Sequence, residues 1–237
     1  MYDADLAAFH DAHAGHLAAE AATTLVDELA AAGHHEGVVV DLGCGSGILA
    51  EILIESGYEV LAIDPSPAFL AMVRQRAPRA ARIQATVADA VLPDWLVGIA
   101  CVGEVLSYDL TIDLDTTLES FQRALRPGGV LLFDVPGPGR HAEEGWAVHD
   151  EREGFLAMRT EESGFRLHRH ITMFSAMTDG AYRRSDTDHE LRLYIGDDVR
   201  TALVRAGFTG IRTLERYGAS GPAFGEGWAG FLAQRPA

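Results

Sequence analysis

Short apolar runs alternate with amphipathic stretches through the first 136 residues of the chain. The run Val38–Leu42 is apolar at almost every position, which is typical of a parallel strand buried on both faces. Similar runs predict further strands at 58–63, 83–88, 96–102 and 130–135. Apolar residues at helical spacing predict helices at 47–56, 68–76 and 113–125. Gly15 is expected to divide the N-terminal helical region into a short helix and a longer one at 16–32.

The pattern changes at 136–139, where prolines and glycines alternate. From 154 to 194 polar and apolar residues then follow a period of two, which predicts antiparallel strands. A last amphipathic helix is predicted at 197–206, followed by strands at 210–217 and 228–234. The chain is therefore predicted to be an α/β protein with an antiparallel excursion late in the sequence.

Composition restricts the partners more than the fold. The 237 residues suffice for one domain with a full core, and 48% hydrophobic and 23% charged residues are ordinary values. The net charge is −16 and there is no lysine, so nucleic acid and an anionic membrane surface are disfavoured partners. Two cysteines, no span of membrane length and no signal-like N-terminus predict a cytoplasmic protein acting on a small molecule.

Three glycines, Gly43, Gly45 and Gly47, lie between the first strand and the helix that follows it. Such a turn lets a ligand approach the backbone and the helix N-terminus. A dinucleotide-binding turn reads G-x-G-x-x-G, whereas position 48 here is Ile, and Asp41 would repel a pyrophosphate. Asp41 suits a ligand with positive charge near the turn, and an ordinary strand–helix turn is the alternative.

The motif D-x-G-x-G-x-G at 41–47 resembles the glycine-rich motif of class I S-adenosylmethionine-dependent methyltransferases. The phrase L-R-P-G-G-x-L-L-F-D at 125–134 also resembles that family, and the resemblance is weakest over 1–30 and 137–195. It implies a Rossmann-like, mostly parallel seven-stranded sheet flanked by helices, with an antiparallel β excursion after strand 5. Residues 1–136 and 196–237 would form the methyltransferase domain, and 137–195 an inserted meander that serves as a substrate cover or a dimer surface.

Asp64 ends the second predicted strand, 21 positions after Gly43. A strand-end carboxylate at this distance reaches a ribose diol, because two acceptor oxygens match two hydroxyls. Helix capping is the alternative for Asp64, although Ser66 is the predicted N-cap and Pro67 the predicted first helical residue.

The resemblance implies that the cofactor is S-adenosyl-L-methionine, with S-adenosyl-L-homocysteine as the product. It also implies that Asp89, after the third strand, bonds the adenine amino group while Ala90 offers a backbone N–H; a solvated loop aspartate is the alternative. The expected cofactor-binding residues are Asp41, Gly43, Cys44, Gly45, Gly47, Asp64, Pro65, Ser66, Asp89, Ala90 and Gly103.

In the family, the end of the fourth strand lies beside the transferable methyl group. Glu104 is therefore a candidate catalytic residue and Tyr108 a candidate substrate contact; a helix N-terminal acid and a packed aromatic are the alternatives. The Asx-Pro-Pro-aromatic tetrad of amino-methyltransferases acting on nucleic acids does not occur here. In similar methyltransferases the N-terminal segment closes over the cofactor, which makes Tyr2, Phe9 and His16 candidate lid residues.

His189 shares a strand face with apolar residues, so it is either a core histidine or a base that takes a proton from a hydroxyl or an amine. His141, His168 and His170 compete for this role on the substrate side. Arg184 is expected to pair either with a substrate carboxylate or phosphate or with neighbouring aspartates. No metal site is expected.

The predicted function is methyl transfer from S-adenosylmethionine to an oxygen or nitrogen of a small molecule. A metal-assisted variant stays open, and a non-catalytic cofactor-binding or oligomeric protein is the alternative. A nicotinamide-dependent dehydrogenase is the weaker alternative. Besides the small molecule, a second copy of the chain is the expected partner, as a homodimer.

Overall fold

The computed structural model describes residues 3–140, 145–151, 154–219 and 221–237. Its helices are Ala4–Ala31 (α1), Ile48–Glu55 (α2), Pro67–Arg76 (α3), Val105–Tyr108 (α4), Leu114–Ala124 (α5) and Gly196–Arg205 (α6). Its strands are Val38–Leu42 (β1), Glu59–Ile63 (β2), Ala81–Ile83 (β3), Leu96–Cys101 (β4), Leu125–Pro136 (β5), Gly145–Glu151 (β6), Gly154–Ser163 (β7), Arg166–Ala176 (β8), Tyr182–Arg192 (β9), Thr209–Leu214 (β10) and Trp228–Gln234 (β11). Among the described helices, none combines the length and the apolar character that crossing a membrane requires.

The first sheet has the strand order β10-β11-β5-β4-β1-β2-β3. Strand β11 runs antiparallel to β5 and β10, and the other neighbouring strands are parallel. Its central strands are buried on both faces, with Leu29 and Val73 packing on one side and Leu118 and Leu203 on the other. The predicted Rossmann-like, mostly parallel seven-stranded sheet is confirmed.

The second sheet is antiparallel, with the order β6-β7-β8-β9. Its inner face packs on Leu6 of α1 through Leu156, Ile171 and Met173. A smaller cluster joins Leu167, Leu191 and Leu193 to Tyr108 of α4. The predicted antiparallel excursion after strand 5 is confirmed, and its status as a separate inserted domain stays a prediction.

The predicted break of the N-terminal helix at Gly15 is wrong, because α1 is continuous from Ala4 to Ala31. A Cβ atom on Gly15 would lie 2.6 Å from Cδ1 of Ile48, so this glycine lets α1 approach α2 closely. An interior glycine costs a helix only about 1 kcal/mol relative to alanine, which the packing of Leu25 and Leu29 offsets.

The strand predicted at 83–88 is also wrong, because β3 ends at Ile83. The chain then turns: the Asp89 carboxylate accepts a hydrogen bond from the Thr86 hydroxyl, and the Thr86 hydroxyl accepts one from the Asp89 N–H. The N–H of Ala88 donates to Asp109. Short polar side chains that satisfy the backbone locally compete with a strand ladder, and here they prevail. The other predicted elements are present with their ends shifted by a few residues.

The N-terminal half of α1 is attached to both sheets. Asp11 receives two hydrogen bonds from Arg76 of α3, at 2.7 and 3.0 Å, and Arg76 also donates to the carbonyl oxygen of Ser46 in the glycine turn. Asp5 pairs with Arg183 of β9. The Arg76 guanidinium lowers the pKa of Asp11 below its usual value, so the pair is ionised at neutral pH.

Replacing Asp11 by Asn is expected to loosen this half of α1 while the core keeps its stability. A partly exposed ion pair contributes roughly 0.5–1 kcal/mol, so amide exchange at residues 6–14 should accelerate about two- to fivefold. Hydrogen-exchange mass spectrometry measures this directly. Glu119→Gln, which removes the exposed pair with Arg123, is the control. Unchanged exchange at residues 6–14 in the Asp11 variant would show that this half of the helix does not depend on the contact, and equal acceleration along all of α1 would show that the effect is not local.

Candidate functional site

A cavity of about 500 Å³ lies at the carboxyl ends of β1, β2 and β4. Its other walls come from α1, through His10, and from residues 188–190 of β9 in the second sheet. In open α/β sheets this edge is where ligands bind. The described lining residues are His10, Leu42, Gly43, Gly45, Asp64, Pro65, Ser66, Phe69, Ala85, Thr86, Val87, Val102, Gly103, Val105, Tyr108, Asp109, Asp188, His189 and Glu190.

The glycine turn forms the floor of the cavity. Gly43 and Cys44 donate their N–H groups to the carbonyl oxygen of Ile63, which fixes the turn against β2. Gly43 has φ +75°, and a Cβ atom there would lie 2.3 Å from the side chain of Val105. Gly47 is the N-cap residue of α2. Burial raises the pKa of the Cys44 thiol well above its usual value. Gly43 and Gly45 thus face the cavity, while Cys44 and Gly47 shape it.

Asp64 holds two backbone donors together at the end of β2. Its carboxylate accepts hydrogen bonds from the N–H of Gly45 at 3.0 Å and from the N–H of Ser66 at 2.8 Å. Burial raises its pKa, and these two hydrogen bonds oppose that rise. Each carboxylate oxygen retains a second lone pair, so a diol in the cavity can still be bound. Ser66 also caps α3, as predicted, and Pro65 lies in the cavity wall.

Asp41 lies behind the turn and is only 2% exposed. Burial and the neighbouring charge of Asp64 raise its pKa to about 7. One of its oxygens, Oδ2, is buried and has no hydrogen-bond partner within the described part of the chain. A buried carboxylate of this kind gains stability when a positive charge approaches it.

Asp89 and Ala90 do not line the cavity. Asp89 is exposed and exchanges hydrogen bonds with Thr86, so the alternative of a solvated loop aspartate describes it better than the predicted adenine contact. Ala90 packs against the core instead. Their predicted place in the wall is taken by Thr86 and Val87, because the chain leaves the sheet five residues earlier than predicted.

A buried carboxylate, Asp134, holds the turn between β4 and α4. It accepts hydrogen bonds from the N–H groups of Gly103 and Glu104, from the Tyr217 hydroxyl at 2.8 Å and from the Trp228 indole at 2.9 Å. Gly103 and Glu104 both have positive φ, 90° and 64°. Sequence reasoning missed Asp134, although an acid within the apolar strand V-L-L-F-D-V was a visible signal.

Glu104 does not act where it was predicted to act. Its carboxylate is buried and pairs with Arg140 at 2.9 Å and with Arg169 at 3.2 Å, outside the cavity lining. Burial alone would raise its pKa, but the two guanidinium groups lower it below the usual value. A carboxylate stabilised as an anion in this way is a poor base, so the surroundings of Glu104 favour a structural role over the predicted catalytic one.

Tyr108, His189 and His10 also line the cavity. The Tyr108 and His189 rings meet edge to face at 5.4 Å, and Arg169 donates a hydrogen bond to the Tyr108 hydroxyl. Burial, with a smaller effect of the Arg169 charge, lowers the pKa of His189 to about 4. Burial also lowers the pKa of His10. Both imidazoles are therefore neutral at physiological pH.

Of the predicted lid residues, Phe9 packs on the second sheet, while His10, which was not predicted, reaches the cavity.

His168, His170 and Arg184 do not meet the predicted substrate site. All three lie on the outer face of the second sheet, opposite to His189, because side chains alternate along a strand. Arg184 pairs with Asp186, which was the alternative for it. His168 and His170 line a second hollow of about 560 Å³, which adjoins the cavity and shares Asp188, His189 and Glu190 with it. His141 and Tyr2 lie outside the described residues. No group of three metal-ligating side chains occurs among those that the structure describes.

Comparisons with known proteins agree with this geometry. A family model described as a methyltransferase domain matches residues 40–133. A Bacillus subtilis protein named as a methyltransferase is 28% identical over 182 residues, 73% of this chain and 74% of its own length. A malonyl-[acyl-carrier protein] O-methyltransferase of Serratia marcescens is 31% identical over 137 residues, and this chain spans about half (53%) of its length.

Two solved structures share the fold over nearly their whole length. An S-adenosylmethionine-dependent methyltransferase from Clostridium acetobutylicum superposes with a TM-score of 0.81 at 18% identity, covering 98% of both chains. An amino pentose methyltransferase from Micromonospora echinaspora, solved with S-adenosylmethionine bound, gives 0.76 at 20% identity, covering 99% of this chain and 98% of its own.

The glycine turn provides a matched pair of substitutions. Gly43→Ala places a methyl group against Val105 in a left-handed backbone, which should lower the free energy of unfolding by about 2–5 kcal/mol. Gly45→Ala has φ +51° and no atom within 4 Å of the new Cβ, so only the backbone strain of about 1–2 kcal/mol applies. Urea unfolding of both variants measures the difference. Equal losses would show that Val105 does not constrain the turn.

Proposed function

We propose, from the premise that this chain belongs to the class I S-adenosylmethionine-dependent methyltransferases, that it methylates a nitrogen or oxygen of a small-molecule acceptor. The observation that carries the proposal is the single cavity in which the glycine turn and Asp64 face Tyr108 and His189. The amino pentose acceptor named for the M. echinaspora neighbour, together with acidic residues in the wall, favours an amine nitrogen.

The residues of the turn fit the cofactor. Asp64 has the carboxylate oxygens that a ribose diol needs, and Gly45 leaves open space in which a ligand can approach the backbone. Asp41 lies behind the turn, outside the cavity lining, and its unpartnered buried oxygen would attract the positive charges of the sulfonium and ammonium groups across the turn rather than by contact. When bound, S-adenosylmethionine supplies an electrophilic methyl group, so the protein has only to align an acceptor with it and exclude water.

On the acceptor side, the protein provides hydrogen-bonding groups and a low-dielectric wall. His189 is neutral above pH 5 and offers its imidazole to an acceptor N–H or O–H. Tyr108 and Arg169 pack behind it and fix its position. Holding an acceptor in line in this way can supply roughly 7–11 kcal/mol of the barrier, and a weakly basic histidine suffices because an amine needs no strong base.

Calorimetric titration of S-adenosylmethionine, S-adenosylhomocysteine and NADH tests the cofactor. Wild type should bind the two sulfur ligands and not NADH. In Asp64→Ala the affinity for both should fall about ten- to hundredfold, the loss expected for charged hydrogen bonds of 1.5–3 kcal/mol. Asp64→Asn keeps one acceptor oxygen, so its affinity for the two sulfur ligands should lie between that of wild type and that of Asp64→Ala. NADH binding without binding of either sulfur ligand would revive the dehydrogenase alternative.

Turnover is tested separately by incubating the protein with S-adenosylmethionine and a panel of amino sugars, amino-acid amides and short peptides, each paired with its hydroxyl analogue. Mass spectrometry should detect S-adenosylhomocysteine and an acceptor heavier by one methyl group. Cofactor binding without turnover on either half of the panel would favour a non-catalytic binding protein.

Cofactor binding should depend on pH through Asp41. Its raised pKa of about 7 means that the free protein holds a proton there below pH 7, and a cationic ligand must displace it. The affinity for S-adenosylmethionine should therefore rise by up to about tenfold per pH unit from pH 5 to 7 and level off above. Titrations between pH 5.5 and 8.5, in wild type and Asp41→Asn, measure this effect. The same slope in Asp41→Asn would assign it to another group.

A further inference from the structure

Strand β9 is an edge strand that borders the cavity. In the second sheet it pairs with β8, and within the described residues no strand pairs with its other side. Residues 188–190 of β9 line the cavity. A free edge presents a row of backbone N–H and C=O groups that can pair with another extended chain.

The hydrogen bonds at both ends of the strand fix which residues face this free edge. Leu193 donates its N–H to the carbonyl oxygen of Phe165 at 2.9 Å, and Met177 donates to Ala181 at 2.8 Å. Both pairs belong to the same antiparallel register, in which the odd-numbered residues of β9 bond to β8. The N–H and C=O groups of Asp188 and Glu190 therefore point away from β8.

The cavity reaches this edge as well as the inner face of the sheet. His189 projects inward, whereas the side chains of Asp188 and Glu190 project from the opposite face. All three residues line the cavity and also the adjoining hollow that His168 and His170 line on the outer face, so the edge of the strand borders both. The backbone N–H and C=O groups of this edge thus lie next to the imidazole of His189, which would contact the nitrogen that is methylated.

The chemistry of this edge selects a particular group. In an antiparallel pair, the N–H and C=O of one residue bond the C=O and N–H of one residue opposite. An α-amino-acid residue in extended conformation matches this arrangement, and a simple sugar does not. The carboxylates of Asp188 and Glu190 flank the edge but pair with His170 and Arg166. The other acids of the lining, Asp64 and Asp109, favour a segment that carries an amine.

We propose that the methyl acceptor contains an α-aminoacyl residue that pairs with the edge of β9 at Asp188 and Glu190, with its amine beside His189. This proposal rests on the proposed methyl transfer and narrows it to aminoacyl or short peptidyl amines. Strand addition supplies the affinity through the backbone, and the adjoining cavity selects the group that is methylated.

Amide chemical shifts of the ¹⁵N-labelled protein, saturated with S-adenosylhomocysteine, test this pairing. Tetraalanine amide is the probe, and the same peptide with methylated backbone nitrogens keeps the size but lacks the N–H donors. Glucosamine is the amine without an amide. We expect shifts at the amides of Asp188 and Glu190, larger than those at Thr187 and His189, with tetraalanine amide alone. No shift, equal shifts with the methylated peptide, or shifts with glucosamine only would each overturn the proposal.

A matched pair of variants isolates the backbone group. Glu190→Pro removes an N–H that faces the edge and leaves the ladder to β8 intact, as an edge strand tolerates. Glu190→Ala removes the same side chain and keeps the N–H. The peptide should bind about fivefold more weakly to the proline variant than to the alanine variant, the loss expected for one hydrogen bond. Equal affinities would refute the pairing.

Binding of S-adenosylhomocysteine, measured by calorimetry on the same samples, separates the two proposals. It should be equal in wild type and both variants, which also shows that the proline variant is folded. Failure of wild type to bind it would refute the proposed function. Intact binding without peptide shifts at Asp188 and Glu190 would refute only the pairing.

Discussion

The buried carboxylate of Asp134 is the contact on which the shape of the cavity depends. It satisfies two backbone N–H groups of the β4–α4 turn and ties them to the Tyr217 hydroxyl and the Trp228 indole, which come from the last part of the chain. Burial raises its pKa, and these four donors oppose that rise by stabilising the anion. Since the turn holds Gly103 and Glu104 at positive φ, the donors and the strained turn require each other. The backbone at the end of β4 is therefore held in one conformation. The positions of both cavity walls depend on that conformation.

The same turn transmits that geometry to the second sheet. Glu104 follows the turn and binds Arg140, which stacks on Trp228 at 4.3 Å, and Arg169 of β8. Arg169 in turn donates to Tyr108 and lies directly opposite His189 in the β8–β9 ladder. A buried charged group that lost its partner would cost several kcal/mol, so this network strongly favours one position of the sheet over the cavity. The acceptor wall is thus positioned by ion pairs, whereas the cofactor floor is positioned by backbone hydrogen bonds.

This difference explains what could be predicted from the sequence. The position of the glycine turn and Asp64 at the cavity was predictable because it depends on a strand, a turn and a helix that are adjacent in the chain. Asp134 and Arg169 were missed because their partners lie 30 to 94 residues away in sequence, a relation that no local pattern encodes. The placement of His168 and His170 failed for another reason: alternation separates them from the odd-numbered residues of their strand, but it does not say which face of the sheet meets the cavity. Gly15 misled because a glycine needed for close helix packing has the same local signature as one that ends a helix.

Burial raises the pKa of Asp41 and lowers the pKa of His189, and both shifts favour the uncharged form of the side chain. It raises the pKa of Asp41 to about 7 and lowers that of His189 to about 4, so both groups are largely neutral in the free protein between about pH 4 and pH 7. The net charge of the chain, −16, would otherwise draw cations to the cavity without selection. Because Asp41 is protonated in the free protein, its electrostatic gain is reserved for a ligand that places positive charge close enough to ionise it. The edge of β9 adds a requirement of shape at the opposite wall, because backbone groups at Asp188 and Glu190 reward only a partner with matching donors and acceptors. The proposed cofactor and the proposed acceptor would thus be selected by different means, the first by its charge and the second by its hydrogen-bond geometry.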